Sequence, residues 1–134
     1  MNCNRVITSA VCVFVALFLS DWVFHGYLLM DLYQETAHLW RSQEQMESYF
    51  PLMVGCQAAL SLVISIFYAR GYSGRGFTEG LVFGCLLGLV VGILQGATYA
   101  YMPISVALAL AWLGISFVQG VLLGAVLGLT YKAE

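Results

Sequence analysis

The stretch that decides the fold is residues 76–96, GFTEGLVFGCLLGLVVGILQG, where glycine returns at every fourth position: Gly76, Gly80, Gly84, Gly88, Gly92 and Gly96. Between the glycines lie mostly Leu, Val, Ile and Phe. The run is too apolar for a loop and is long enough to cross a bilayer, which takes about 20 helical residues. A spacing of four lines the glycines along one slanting ridge of a helix. Leucine gains nothing by leaving lipid tails, so close backbone approach along such a bare ridge becomes the main source of helix association in a membrane. The pattern is a glycine zipper.

The next segment supplies a partner. Tyr99 and Tyr101 mark a headgroup level, and Met102-Pro103 turns the chain into a last apolar span, 103–131. Counting outward from the turn sets Gly120 opposite Gly84, Gly124 opposite Gly80 and Gly128 opposite Gly76. Ser116 falls opposite Gly88, and Trp112 falls opposite Gly92, where it could fill the groove left by Gly92 and Gly96. A four-residue step drifts by about 40°, so six glycines wind roughly 200° around their helix. One straight partner cannot cover them all. Either the helices cross steeply, or a second helix takes part of the ridge.

The rest of the chain fits an all-α, polytopic membrane protein forming a single integral domain over 1–134. The sequence is 61% hydrophobic and 9% charged, too few charges to cover a soluble domain of this size. A first span, 6–29, follows Arg5. Its strictly apolar part, Val6 to Ser20, would make only about 22 Å of helix, so Asp21 and His25 must lie within the span or at its interface. An uncleaved anchor is expected here, because no small-x-small cleavage site is evident. A second span covers 51–69, and the glycine-ridged third covers 76–101. The outer segment 30–50 reads as a short amphipathic helix on the membrane surface, with Leu32, Leu39 and Met46 recurring every seven positions. Pro51 is read as ending it and starting the next helix. Cys3, Cys12, Cys56 and Cys85 form no metal-binding spacing and read as packing residues.

Arg5, Arg70, Arg75 and Lys132 fall on one side of this arrangement and only Arg41 on the other. The positive-inside rule then sets both termini in the cytoplasm, with the protein in a bacterial inner membrane. No basic patch exists for nucleic acid, and no nucleophile elbow or phosphate loop is present.

Three groups of residues could carry chemistry. Asp21 and His25 stand one turn apart inside the first span, where an ionisable side chain is a functional candidate by default. The bland alternative is an interface pair in which Asp21 accepts a hydrogen bond from His25. Gln57, Gln95 and Gln119, one from each remaining span, read as interhelical hydrogen bonds or as part of a polar path with Asp21 and His25. Glu35-x-x-His38 has the spacing of a carboxylate–imidazole metal motif. With His25 it makes a remote metal or haem candidate, although no cofactor is expected. Glu79 reads as the partner of Arg75.

Asp21-Trp22-Val23-Phe24-His25-Gly26, with Gly74-x-Gly76-x-x-Glu79-Gly80, is similar to sequences of uncharacterised bacterial four-span membrane proteins. That resemblance implies a fold and no activity. Three functions follow from the residues. The first is a non-catalytic accessory subunit packed into a larger membrane complex, an energy-transducing one being an instance, with lipid, other subunits or further copies as partners. The second is a small dimeric transporter or channel for an ion or small solute. The third is a metal- or haem-bearing redox protein.

Overall fold

In the computed structural model, which describes residues 2–132, every regular element among the described residues is helical. Helix α1 spans Cys3–Val23 and runs directly into a π-helical turn, Phe24–Leu28. A short α2, Met30–Gln34, and a 3-10 turn, Ala37–Leu39, lead to α3, Gln43–Gly71. Helix α4 is Phe77–Ala97 and α5 is Val106–Thr130, with a 3-10 turn at Thr98–Ala100 between them. Four stretches are long and apolar enough to cross a membrane: Cys3–Leu28, Gln43–Gly71, Phe77–Ala100 and Val106–Thr130.

The second span differs from its reading in sequence. Pro51 does not open a helix but lies inside α3, which begins eight residues earlier. The cause is a capping box: Ser42 Oγ accepts from the Gln45 backbone N–H, and Gln45 Oε1 accepts from the Ser42 N–H. That cap starts the helix at Gln43. Proline then removes only the bond to the Glu47 carbonyl, on a stretch exposed enough for that oxygen to be solvated. The outer segment is accordingly not one amphipathic helix; α2 and the 3-10 turn fill 30–39, and Gln43–Phe50 belongs to α3.

The helices lie in the order α3, α1, α5, α4, with the closest and longest contact between α4 and α5. Glycine makes that contact. A Cβ on Gly80 would lie 2.7 Å from Gly128 Cα, and one on Gly84 would lie 2.8 Å from Gly124 Cα. At Gly88 and Gly92 it would meet the carbonyl oxygens of Phe117 (2.7 Å) and Leu113 (2.8 Å). These are backbone atoms that cannot swing aside. Such proximity suits Cα–H···O contacts and dispersion, the terms that remain when lipid is the solvent. The single partner α5 thus covers the four central glycines. At the ends the ridge is different: a Cβ on Gly96 would come no closer than 3.4 Å to the Leu113 side chain, and Gly76 leaves the helix to become its N-cap at φ 62°. Leu113, not Trp112, faces Gly92, because one residue further along a helix points about 100° away.

Glu79 has backbone partners in the turn before α4. Its carboxylate accepts the N–H groups of Ser73 (2.6 Å) and Arg75 (2.9 Å), tying the turn to the first turn of α4. This is the favourable end of the helix dipole for a carboxylate.

Two apolar cores form, one where α1 meets α3 and α5 and one where the outer segment meets the start of α5. One joins Val13 and Leu17 to Ile64 and Tyr68 of α3 and to Leu123, Leu127 and Tyr131 near the end of α5. The other joins Leu29 to Ile104, Leu108 and Trp112 at the opposite end. Between them lies a polar layer. Outward, α1 and α4 present Ile7, Val11, Leu19, Val82, Leu86 and Ile93, all more than half exposed. In a membrane that surface is solvated by lipid.

Gly84→Ala and Gly124→Ala should each destabilise the protein by about 1–3 kcal/mol through overpacking, despite alanine's better helix propensity. Gly55→Ala and Gly114→Ala, where an added Cβ meets nothing within 4 Å, should leave stability level or raise it by up to about 1 kcal/mol. Thermal unfolding of the four variants in one detergent checks both halves.

Candidate functional site

The polar layer is built from three helices. Ser20 and Asp21 come from the last turn of α1, Gln57 from the middle of α3 and Gln119 from the middle of α5. The Gln119 Nε2 group donates to Asp21 Oδ1 at 2.7 Å and to Ser20 Oγ at 2.8 Å. Ser20 in turn donates to the Leu17 carbonyl at 3.0 Å. From the other side, Gln57 Nε2 donates to Asp21 Oδ2. Both carboxylate oxygens are therefore occupied by N–H donors, one from each flanking helix. The carboxamide oxygen of Gln57 is buried and has no partner.

No cation is built into this layer. Helix α5 contains neither Lys nor Arg, and Arg70 ends α3 about 20 Å along the axis from Gln57. Arg41, in the connection between α1 and α3, lies over the Tyr49 ring at 4.4 Å. A carboxylate among apolar helices with amide donors and no countercharge costs several kcal/mol of desolvation.

A second set of side chains adjoins it. His25 sits in the π-helical turn, and its Nδ1 is 2.6 Å from the Tyr33 hydroxyl. Trp112 Nε1 donates to the same hydroxyl at 2.8 Å. An indole N–H can only donate, so the phenol accepts from Trp112, and the imidazole tautomer sets the direction of the Tyr33–His25 bond. Burial pushes the Tyr33 phenol up from its ordinary range; the Trp112 hydrogen bond opposes this and the Asp21 charge adds to it. Trp40 packs edge-on to Tyr33 at 5.4 Å, and its indole donates to Thr36 Oγ1. These aromatics close one end of the polar layer. Val13, Leu17, Leu123 and Leu127, each at most 5% exposed, close the other.

Asp21 and His25 are neighbours in space but not hydrogen-bonded to each other: Asp21 is held by the glutamines and His25 by Tyr33. The interface pair anticipated from their spacing is replaced by contacts to other helices. Gln57 and Gln119 meet at Asp21, whereas Gln95 stays near the end of α4, where its carbonyl accepts from Thr98 Oγ1. His25, Glu35 and His38 do not converge; Glu35 and His38 are exposed, and no three His, Cys, Asp or Glu side chains among the described residues come together. The sequence reading did not single out Ser20, Tyr33, Trp40 and Trp112 as site residues. Trp112 lies 79 positions from Tyr33, its hydrogen-bond partner, a separation that no local pattern spans.

The chain matches no family model, curated protein or solved structure closely enough to define a relationship.

Tyr33→Phe leaves the Trp112 N–H and the His25 ring without their shared partner and should cost about 1–3 kcal/mol. Trp112→Phe leaves the Tyr33–His25 bond intact and should cost less than Tyr33→Phe in polar terms. Thermal midpoints, with indole fluorescence reporting the Trp112 environment, distinguish the two.

Proposed function

We propose that this chain is a small non-catalytic membrane carrier or channel that binds a monovalent cation, the proton included, at Asp21. The observation that carries the reading is the intramembrane carboxylate of Asp21, held by Gln57 and Gln119 from two other helices with no resident positive charge. Retaining an acid at such a depth is worthwhile where its charge is used. His25 and Tyr33 guard the outer end of the site, and the Val13–Leu127 layer separates it from the cytoplasm. The charge distribution supports cytoplasmic termini, and a bacterial inner membrane is the setting that fits this topology.

A second reading is an accessory subunit of a larger membrane complex, with other subunits or further copies against its surface. It is favoured by α3, whose residues 43–53 are exposed along their whole length and include Met46, Tyr49, Phe50, Leu52 and Met53. The case for a partner on the glycine ridge is weaker, since α5 already covers Gly80 to Gly92.

Purified protein in vesicles should dissipate an imposed proton or sodium gradient, and Asp21→Asn should abolish that flux while leaving the fold intact. Equal flux from wild type and Asp21→Asn would overturn the cation-site reading. A native mass far above a few copies of 14.7 kDa, with other proteins present, would favour the accessory subunit.

A further inference from the structure

We propose that the groove at the outer end of α3 binds one phospholipid, a zwitterionic one whose phosphodiester meets Arg41 and whose primary ammonium meets Glu47. This site is separate from Asp21 and goes beyond the carrier reading. The groove encloses about 530 Å³ on the exposed face of α3. Met46, Tyr49, Phe50 and Met53 line it, each close to half exposed. Phe50 also packs edge-on to Phe18 of α1 at 6.3 Å, which fixes one wall. Arg41 and Glu47 supply the charges of the groove.

Depth decides what such a groove meets. Helix α3 has 29 residues and is about 43 Å long, whereas the hydrocarbon core of a bilayer is about 30 Å thick. Arg70 marks one edge of that core near the end of the helix, so the surplus length lies at its start. Counting about 20 residues back from Arg70 sets the other edge near Phe50. Met53 then meets acyl chains, while Tyr49 and Met46 stand among headgroups. Arg41 precedes the helix, yet its side chain folds back and its guanidinium carbon is 4.4 Å from the centre of the Tyr49 ring. The cation is thereby carried down to the hydrocarbon edge, where the headgroup region begins.

The charges select among phospholipids. Among the described residues Arg41 has no carboxylate partner and its guanidinium donates no hydrogen bond. Its fork of N–H donors can take a phosphodiester at two oxygens. Glu47 accepts one long hydrogen bond, from Gln43 Nε2 at 3.4 Å, and its other oxygen can take an ammonium N–H. A choline headgroup carries the positive charge but has no N–H to give. A lipid of net negative charge would add an anion to a segment that already sets Asp31, Glu35, Glu44 and Glu47 against Arg41 alone.

The test adds dioleoyl lipids with ethanolamine, choline or glycerol headgroups to the delipidated full chain in detergent and measures retained lipid by native mass spectrometry. Wild type should hold the ethanolamine lipid most tightly and the glycerol lipid least. Arg41→Ala should weaken retention of the ethanolamine and choline lipids by about tenfold, the loss of one charged hydrogen-bonding group. Glu47→Gln should bring these two lipids to equal retention. Equal retention of all three lipids by wild type would mean an unselective lipid coat and would overturn the site; that comparison needs no variant, so it holds even where a variant does not fold. Tighter retention of the glycerol lipid would overturn the zwitterion. A ranking unchanged in both variants would put the lipid elsewhere and overturn the groove. In native membranes, a photo-crosslinking residue at position 53 should capture lipid, and capture of a protein in its place would overturn the proposal in favour of a docked subunit. Asp21-dependent flux is untouched by each of these results.

Discussion

Contact between the backbones of α4 and α5 is the constraint on which the rest of the bundle depends. Lipid removes the usual reward for burying leucine, so helices stay together only where atoms approach closely and groups pair. Gly80, Gly84 and Gly88 against Gly120, Gly124 and Gly128, with Gly92 against the Leu113 backbone, supply that approach over about 18 Å of helix. The pair then acts as a rigid wall. Its other exposed face carries Gln119 and Trp112, which reach α1 and the outer segment. A shift of one helical residue in α5 would move Gln119 by about 1.5 Å along the axis and about 100° around it, away from Asp21.

The remaining helices associate by a different device. Helices α1 and α3 share little small-residue packing of the glycine kind. They meet through Ser9, Ser61 and Ser65, all buried, and through Gln57 at Asp21. Serine serves as a small residue here: Ser61 returns its hydroxyl to the Gln57 carbonyl at 2.8 Å, while Ser9 Oγ accepts from Thr130 of α5 and Ser65 Oγ has no partner. One half of the molecule is thus joined by bare backbone and the other by polar groups. The first half supplies rigidity. The second contains the Asp21 carboxylate and its two amide donors.

Much of the fold was legible because membrane spans leave strong marks: length, apolarity, and for α4 and α5 a glycine period. Other features leave no such mark. The π-helical turn adds one residue to one helical turn, which no periodicity over so short a stretch records. Pro51 was misread because its common role at the start of a helix outweighed the Ser42–Gln45 capping box. Trp112 was assigned to a groove by counting along α5, but direction around the helix, not level along it, decides what a side chain meets. Asp21, Gln57 and Gln119 could be named from their chemistry as polar residues in lipid. That Gln95 would be left out depends on which helix faces which, and only the packing order supplies that.

The position of Asp21 in the chain also bears on how the protein is made. Synthesis proceeds from the N-terminus, so α1 carries its carboxyl group to the membrane before Gln57 has been translated, and well before Gln119. During that interval nothing in the chain can supply the two amide donors. The last turn of α1 must wait at the water boundary, with Trp22 and Tyr27 at the level of the headgroups, until α5 arrives. The glycine-matched hairpin of α4 and α5 contains its own packing surface and can form first. Gln119 of that hairpin supplies one of the two amide donors of Asp21, so the acid's set of partners is complete only once α5 is in place.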